Sequence, residues 1–378
     1  MKNVFYKSMN IVVVLAMVLA VSCAKDGEDG IDGRIGPEGP RGEQGPKGDP
    51  GDNAQVEEIA VFGQWEVIEG QLGVDASKLL YLNEDNTLNI LSEDQMGFKR
   101  AYTTNITVTT DQITMRDESY GVSINNYILD NDLLTIIPPG EAEPTVLQKI
   151  ENGPDPSEWV KSLTILDEGE VPWDREVDIA FDGEYLLGFD ENESSILKIN
   201  PVDFSIVDNI ATSRSAYAVE IEKSDAPTRQ LFQSSNGSSN FFSYIYSSNS
   251  LYYTSENLGS WIRGIASIEP GLLWASSSSI NALYHYKSNG SLSPGEILKT
   301  IPLDIEPGGL DYRNGYLYIT ERNYIHKCQT TPEFKALETY EVKGHSIDGI
   351  TFDGVNFWLS ARSWEENSHK LLKVDLLL

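Results

Sequence analysis

Cysteine and basic residues are both scarce in this chain. Only Cys23 and Cys328 occur among 378 residues, which excludes a disulfide framework and leaves the folded parts to be held by their cores. Lysine and arginine number 28 against 58 acidic residues, giving a formal net charge of -30. Nucleic acid and anionic lipid would be repelled by such a chain, so both are excluded as partners. We interpret the acidity as a source of solubility.

The sequence also lacks the motifs of common enzyme and metal sites. No H-E-x-x-H, G-x-S-x-G, C-x-x-C or P-loop pattern occurs, and the four histidines lie in different contexts. His326 and Cys328 are two residues apart and can share a strand face, but two ligands do not complete a zinc site. We therefore predict neither a metal nor a cofactor.

The longest hydrophobic run in the chain is short and lies near the N-terminus. Lys2 and Lys7 precede an apolar run over residues 11–21, which leads into Cys23. The run is too short for a comfortable membrane span, and the pattern predicts a signal peptide over residues 1–22. Its end, "LAVSC", resembles the lipobox of bacterial lipoproteins, which implies that Cys23 is lipidated, although Ala20 departs mildly from the family pattern. The alternative is an ordinary signal peptide followed by an incidental cysteine.

The residues after the cysteine indicate a location. Lys25 and Asp26, followed by Glu28 and Asp29, resemble the short acidic signals of Gram-negative lipoproteins on the outer face of the outer membrane. This resemblance implies a lipid-anchored protein of the outer membrane that faces the cell exterior. The membrane would then be a partner through the lipidated Cys23.

Glycine occupies every third position from Gly27 to Gly51. Three polyproline-II strands wind together only when the axial residue has no side chain, so this period predicts a collagen-like stalk over residues 23–53, beginning at the lipidated cysteine. A wound stalk predicts a homotrimer through residues 27–53. The alternative is a disordered, charged linker rich in proline and glycine.

Residues 54–152 consist of short alternating segments separated by clusters of Asn, Asp, Gly and Pro. The segments are "GQWEVIEG", "KLLYLNEDNTLNIL", "AYTTNITVTTDQITMR", "YGVSINNYILDNDLLTIIP" and "PTVLQKIE". They predict an antiparallel meander. The opening "FGQWEV" resembles the Gly-x-Trp motif of lipocalins, which implies a small barrel whose floor is closed by Trp65. A barrel this short either holds an apolar ligand or is filled by its own side chains.

Residues 153–378 repeat a unit made of a small apolar strand, a turn and an aromatic-rich strand. The equivalent positions Asp178, Ala218, Gly264, Gly309 and Gly349 are separated by 40, 46, 45 and 40 residues. A period of this length predicts a β-propeller with five blades, six being the rival count. The rhythm of the units resembles NHL-type propellers. The last unit lacks a fourth strand, and residues 159–166 are predicted to supply it and close the ring.

Ligand binding is predicted where loops converge at one mouth of the channel. These are the loops that enter each innermost strand and those that join the second strand to the third. Exposed tryptophans beside arginines and carboxylates suit either a sugar ring or a protein hot spot. The alternative is that the tryptophans pack between blades and the arginines pair with surface acids. The candidate ligand-binding residues are Trp173, Asp174, Arg175, Arg214, Trp261, Arg263, Arg322, His345, Asp348, Arg362 and Trp364.

The sequence thus predicts an all-β protein with a barrel, a propeller and a collagen-like stalk. Its expected function is that of a non-enzymatic surface lipoprotein that binds a glycan or a protein, with no catalytic residue assigned. The first alternative is a glycan-cleaving enzyme, for which Asp178, Glu321 and Asp348 could provide the carboxylate pair that glycoside hydrolysis requires. The second alternative is a purely structural surface protein.

Overall fold

The structure, a computed structural model, describes residues 60–70, 77–117, 121–140, 143–173, 177–212, 214–235, 238–259, 261–289 and 294–376. The predicted signal peptide, the lipidation site at Cys23 and the collagen-like stalk lie outside these residues. One compact unit, Glu58–Leu378, contains both a closed barrel and a propeller. The described residues include no helix that is long and apolar enough to cross a membrane.

Eight antiparallel strands form the barrel in chain order, and the first pairs with the last to close it. Their alternating burial reflects one face toward the barrel core and one toward solvent. The strands are β1 (Gly63–Glu69), β2 (Ser77–Leu82), β3 (Thr87–Glu93), β4 (Lys99–Val108), β5 (Gln112–Asp117), β6 (Gly121–Asp130), β7 (Leu133–Ile137) and β8 (Thr145–Ile150). The predicted small antiparallel barrel is therefore confirmed.

Apolar side chains fill the barrel interior. Trp65, Leu80, Leu88 and Ile113 are fully buried in one cluster, and the Trp65 indole Nε1 donates a hydrogen bond to the carbonyl of Val61 at 2.9 Å. This packing supports the alternative in which the barrel is filled by its own side chains. The resemblance to lipocalins stays a prediction.

Five blades of antiparallel strands form the propeller, which confirms the predicted count. The short helix α1 (Pro156–Trp159) and strands β9 (Lys161–Ser162) and β10 (Ile165–Glu170) precede them. Blades 1 and 2 contain β11 (Ala180–Phe181), β12 (Leu186–Asp190), β13 (Ser195–Ile199), β14 (Ile206–Ala211), β15 (Val219–Ile221), β16 (Gln230–Ser234), β17 (Phe241–Ile245) and β18 (Ser250–Thr254). Blades 3 to 5 contain β19 (Gly264–Glu269), β20 (Leu272–Ser277), β21 (Ala282–Lys287), β22 (Glu296–Pro302), β23 (Leu310–Arg313), β24 (Tyr316–Glu321), β25 (Tyr324–Gln329), β26 (Lys335–Glu341), β27 (His345–Phe352), β28 (Phe357–Ser363) and β29 (His369–Val374).

The ring is closed, as the sequence predicted, by a segment from before the first blade, but this segment overlaps the predicted range only at Ile165 and Leu166. Strand β10 pairs with β29 and so supplies the missing fourth strand of blade 5. Within the predicted range 159–166, Lys161 and Ser162 pair instead with β26 of blade 4, in parallel. The predicted range is therefore a few residues too early. Strand β10 is mostly exposed, because it is the outermost strand of its blade, and its sequence "ILDEGE" carries little apolar signal.

The barrel packs against the side of blade 4. Phe98 of the barrel lies edge-to-face with His326, their ring centroids 4.9 Å apart. Arg100 donates two hydrogen bonds to the Glu321 carboxylate, at 2.6 and 3.1 Å. The Tyr324 hydroxyl donates to the carbonyl of Ala101 at 2.8 Å. Barrel and propeller therefore share a packed, charge-paired interface.

Candidate functional site

The first strands of the five blades, β11, β15, β19, β23 and β27, surround the central channel. The A–B face is the propeller face that carries the turns between the first and second strands of each blade. The opposite D–A face carries the loops that enter the first strands and the turns between second and third strands. The sequence predicted a ligand site on the D–A face.

Asp178 closes the channel near the D–A face. One carboxylate oxygen accepts hydrogen bonds from the backbone N–H groups of Ile179 (3.0 Å) and Ile350 (3.1 Å). The other accepts from Ile265 and Leu310, both at 3.3 Å. The backbone N–H of Asp178 donates to Tyr217 at 2.6 Å. A single residue thus binds the backbones of blades 2, 3, 4 and 5 to that of blade 1.

Glycine is required where the first strands approach Asp178. A Cβ atom on Gly309 would lie 2.3 Å from the Asp178 carboxylate, and one on Gly349 would lie 2.6 Å from the Asp178 Cα. Burial raises the pKa of Asp178, and the hydrogen bonds from Ile350 and the other backbone donors oppose this rise. All the positions around the carboxylate are taken by the fold, so Asp178 is a structural residue of the ring.

A cavity of about 380 Å³ lies beyond Asp178 and opens on the A–B face. Side chains alternate along a strand, so the residues two positions after Asp178 and its equivalents also face the channel. These residues are Ala180, Glu220, Ala266, Asp311 and Thr351. Three of them, Glu220, Asp311 and Thr351, line the cavity, whose volume is in the range of small-molecule sites.

Glu220 is buried in the wall of this cavity and is held by the fold. One of its carboxyl oxygens accepts a hydrogen bond from the backbone N–H of Ser267 at 2.9 Å. Burial raises the pKa of Glu220 to about 8, with Lys223 opposing the rise and Asp311 adding to it. At neutral pH Glu220 is therefore mostly protonated and can donate a hydrogen bond as well as accept one.

Asp311 and Arg313 each present a polar atom without a partner. Asp311 is 3% exposed, and its Oδ1 lies 3.3 Å from the Lys223 ammonium, whereas its buried Oδ2 has no hydrogen bond. The Arg313 guanidinium covers the ring of Phe352 at 4.4 Å from the centroid, and its buried Nε also has no hydrogen bond. Both residues line the cavity. An orphaned acceptor and an orphaned donor are thus found in one wall.

A wider groove adjoins the cavity between blades 1 and 2. It has a volume of about 810 Å³ and shares Asp225 and Arg229 with the cavity. The Tyr246 hydroxyl in its wall donates to Asp182 at 2.5 Å, and the Lys198 ammonium lies 3.5 Å from the same carboxylate. Tyr246 and Lys198 are thus already paired with Asp182, so the groove is a weaker candidate than the cavity.

The structure overturns one predicted aromatic contact. Trp173 is only 2% exposed and packs in the core of blade 1, where its ring atoms would lie 2.5 Å from a Cβ on Gly188. The prediction that Trp173 is exposed for stacking is therefore wrong, because the missing side chain of Gly188 opens a space in the core that the indole fills. Asp174 and Arg175 lie outside the described residues.

The other predicted residues lie on the D–A face in two groups. At blades 2 and 3, the Arg214 guanidinium stacks on Phe242 at 4.1 Å, and Arg263 lies 5.1 Å from the Tyr217 ring centroid. Trp261, just before blade 3, is 48% exposed.

The second group lies at blades 4 and 5. The backbone carbonyl of Arg322 accepts from Ile347, and the backbone N–H of Trp364 donates to Gly344. These contacts bring the loops of Arg322, His345 and Trp364 together. Arg322, Arg362 and Trp364 are exposed, whereas His345 is half-buried and Asp348 is mostly buried.

The structure does not assemble the three carboxylates considered for catalysis. Glu321 lies in the interface with the barrel, where it accepts from Arg100 and its Oε2 lies 3.2 Å from the His326 Nε2. Burial acts to raise the pKa of Glu321, but the bonds from His326 and Arg100 hold it below its usual value. Asp178 is occupied by the fold. Within the described part of the chain, no three His, Cys, Asp or Glu residues are grouped to hold a metal ion.

Glu220, Asp311, Lys223 and Arg313 were missed by the sequence reasoning. A signal for two of them was available, because Glu220 and Asp311 occupy equivalent positions in two repeats, two residues after Ala218 and Gly309. An innermost strand should be small and apolar on both faces unless its channel face is polar. The acids at these positions therefore indicate the channel lining.

No protein-family model matches the chain, and no curated protein matches it in sequence. Among solved structures, the glutaminyl cyclase of Myxococcus xanthus aligns with a TM-score of 0.46 at 11% identity, over 57% of this chain and 96% of that one. Streptogramin B lyase aligns with a TM-score of 0.33 at 15% identity, over 82% and 98%. The WD40 propeller domain of Doa1 gives 0.36 at 11%, over 83% and 97%. Likeness at this level concerns the propeller fold alone.

Proposed function

We propose that the chain is a membrane-anchored surface lipoprotein that acts as a non-enzymatic binding protein. Lipidated Cys23 would hold it in the outer membrane, facing the exterior, and the collagen-like stalk would carry the barrel and propeller away from the membrane as a homotrimer. These parts of the proposal come from the sequence patterns of residues 1–53.

The proposed ligand site is the channel cavity on the A–B face. The observation that carries it is the pair of buried, unpartnered atoms in the cavity wall, Asp311 Oδ2 and Arg313 Nε. Burying a polar group without a partner costs about 1–3 kcal/mol, so a ligand that supplies the missing partners would recover much of that cost. Asp178 closes the far end of the channel, so the ligand enters from the A–B face as the end of a glycan or as a protein side chain.

The proposal is tested with full-length protein in detergent on arrays of glycans and peptides. We expect at least one class of compound to bind, and binding to fall about tenfold or more in Asp311→Asn, because a hydrogen bond to a charged group is worth about 1.5–3 kcal/mol. Glu296→Gln, at an exposed position on β22, is the matched control and should bind like the parent protein. Hits that are unaffected by Asp311→Asn would place the site elsewhere.

The D–A face supports a protein ligand more than a small one. Trp261 and Trp364 are 48% and 59% exposed, and each is two residues from an arginine in the sequence, Arg263 and Arg362. Exposed tryptophan beside arginine is typical of binding hot spots. Peptide binding that survives Asp311→Asn but is lost in Trp364→Ala would assign the ligand to this face.

A glycan-cleaving enzyme is the second candidate, favoured by one observation. Glu220, with a pKa of about 8, is close to Asp311, and a protonated acid near a second carboxylate is the arrangement that glycoside hydrolysis uses. Two contacts argue against the enzyme. Lys223 already pairs with Asp311, and one oxygen of Glu220 already accepts a hydrogen bond from the backbone N–H of Ser267. Reducing-end assays on every glycan hit decide between the two: turnover that is lost in Glu220→Gln would establish the enzyme.

A further inference from the structure

One wall of the channel cavity contains both negatively and positively charged side chains, which accept and donate hydrogen bonds respectively. Asp311 Oδ2 is an orphaned acceptor, and Arg313 Nε is an orphaned donor. The ammonium group of Lys223 donates hydrogen bonds to the other oxygen of Asp311 and to the backbone carbonyl of Tyr312. The protonated Glu220 carboxyl adds a group that can both donate and accept.

We infer, on the basis of the proposed function, that the ligand of this cavity is a neutral saccharide held through its hydroxyl groups. A hydroxyl donates one hydrogen bond and accepts others, so neighbouring hydroxyls on one ring can bond to the Asp311 carboxylate and the Arg313 guanidinium together. Asp311 and Arg313 are alternate residues of β23, so their Cα atoms lie about 6.7 Å apart along the strand. A sugar ring carries hydroxyls on two sides and can bridge this separation.

The cavity lining carries six acidic residues against three basic ones, so it disfavours an anion throughout and a cation only close to Lys223 and Arg313. An ammonium group near Asp311 would meet the cations Lys223 and Arg313, whereas a carboxylate near Arg313 would meet Asp311 and Asp353. Like charges placed close together in a partly buried site cost free energy. A neutral ligand avoids both penalties and keeps all of the hydrogen bonds.

The cavity also provides an apolar surface for the ring. Phe181 lines it, half-buried, at the end of the first strand of blade 1. The carbon-bound face of a sugar is apolar and packs against aromatic rings, while its hydroxyl edge faces polar groups. A cavity lined by an aromatic ring together with polar groups therefore fits a saccharide better than a fully charged ligand does.

The inference is tested by calorimetric titration of the full-length protein in detergent with sugars that differ only in charge. The probes are glucose, galactose and mannose, each compared with its 2-amino sugar and its uronic acid. We expect at least one neutral sugar to bind about tenfold or more tightly than both charged counterparts. Tighter binding of a charged counterpart, or no binding of any neutral sugar at millimolar concentration, would contradict the inference that the ligand is a neutral saccharide.

Variants assign the binding to the cavity. Asp311→Asn and Arg313→Gln should each weaken the neutral sugar about tenfold or more, whereas Glu296→Gln should leave its affinity unchanged. Circular dichroism melting checks that each variant is folded; if Arg313→Gln is not, Arg313→Lys keeps the charge but removes the Nε donor. Sugar affinity unchanged in both cavity variants would also overturn the inference.

The outcomes separate this inference from the proposed function. If peptides or amines bind through Asp311 and no neutral sugar does, the saccharide is wrong and the cavity remains a binding site. If no compound depends on Asp311, both the saccharide and the proposed site are wrong.

Discussion

Asp178 shows how one buried carboxylate can hold a propeller ring together. Each of its two oxygens accepts two backbone N–H groups, and these come from four of the five blades. A buried N–H group must find an acceptor, so the small first strands depend on this side chain for pairing that their neighbours cannot provide. The residue was considered for catalysis from its sequence position, but its surroundings leave no place for a substrate.

Asp178→Asn should therefore destabilise the protein although it keeps the size of the side chain. The amide NH₂ would replace one oxygen and face two N–H donors, which cannot bond to it. We expect the free energy of unfolding to fall by about 3 kcal/mol or more, measured by chemical denaturation. Asp203→Asn is the control, because its exposed side-chain oxygen accepts from Ser205 and asparagine can do the same. Equal stability of the two variants would contradict the role of Asp178.

Glu220 makes stability depend on pH in a direction opposite to that of an ordinary salt-bridged acid. Its pKa is raised to about 8 in the folded protein, from a reference value of 4.5. Between these two values the folded state keeps a proton that the unfolded state has lost. Stability must therefore fall as the pH rises through this window, by up to about 1.4 kcal/mol per pH unit. Outside the window Glu220 adds no slope.

Glu220→Gln should flatten this dependence. Glutamine resembles the protonated acid and can still accept from Ser267, but it does not titrate. We expect urea denaturation at pH 5, 6.5 and 8 to show a smaller loss of stability in the variant than in the parent, with Asp178 contributing part of any remaining slope. Glu296→Gln should follow the parent curve. An unchanged slope in Glu220→Gln would show that Glu220 is ionised in the folded protein at neutral pH.

At the scale of strands and blades, the closing strand β10 is the element on which the ring depends. Without it, β29 would present an unpaired edge, and an exposed edge promotes unfolding and association. Replacing residues 165–170 with a Gly-Ser-Pro segment of equal length should lower the melting temperature and produce oligomers in size-exclusion chromatography. The double change Asp167→Ser and Glu170→Ser keeps the strand and the ion pair of Glu168 with Lys370, and should melt close to the parent. An unchanged melting temperature in the protein with the replaced segment would contradict the role of β10 in closing the ring.

The repeat pattern predicted the elements well because each blade needs the same strand spacing. The equivalent positions from Asp178 to Gly349 all lie within a first strand or just before it, so the five blades could be counted from the sequence. The closing strand was placed too early because an outer strand is exposed and carries acids. Trp173 was placed at the surface because a loop tryptophan that fills a space left by Gly188 resembles an exposed one in sequence.

The predicted ligand residues and the channel cavity lie at opposite ends of the channel, and the sequence pattern pointed only to the first. Which mouth is open depends on Asp178, whose role comes from backbone groups of distant residues such as Ile265 and Ile350. Such contacts leave no mark in the sequence. The channel lining can be recognised in the sequence, because the acids Glu220 and Asp311 stand at equivalent strand positions of two repeats.

At the scale of the whole molecule, barrel and propeller belong to one compact unit. The bidentate pair of Arg100 and Glu321, with Glu321 only 4% exposed, joins them together with the packing of Phe98 on His326. Such an interface holds the cavity in a constant orientation relative to the barrel. If the proposed trimer forms, each assembly carries three copies of the cavity, and a partner with several binding groups would be bound more tightly than by one copy alone.

The trimer is tested with the residues that suggested it. Gly39→Asp would place a side chain on the axis of a triple helix and should abolish the trimer while leaving both folded domains intact. Sedimentation below about 10 °C, using Cys23→Ser protein to remove the lipid, should give a trimer for the parent and a monomer for Gly39→Asp. Ile31 and Ile35 stand at outer positions where proline would favour winding, so the stalk should melt before the domains and the parent should become monomeric on warming. Monomers in both proteins would make the repeat a linker, and trimers in both would place the assembly interface in the barrel or the propeller.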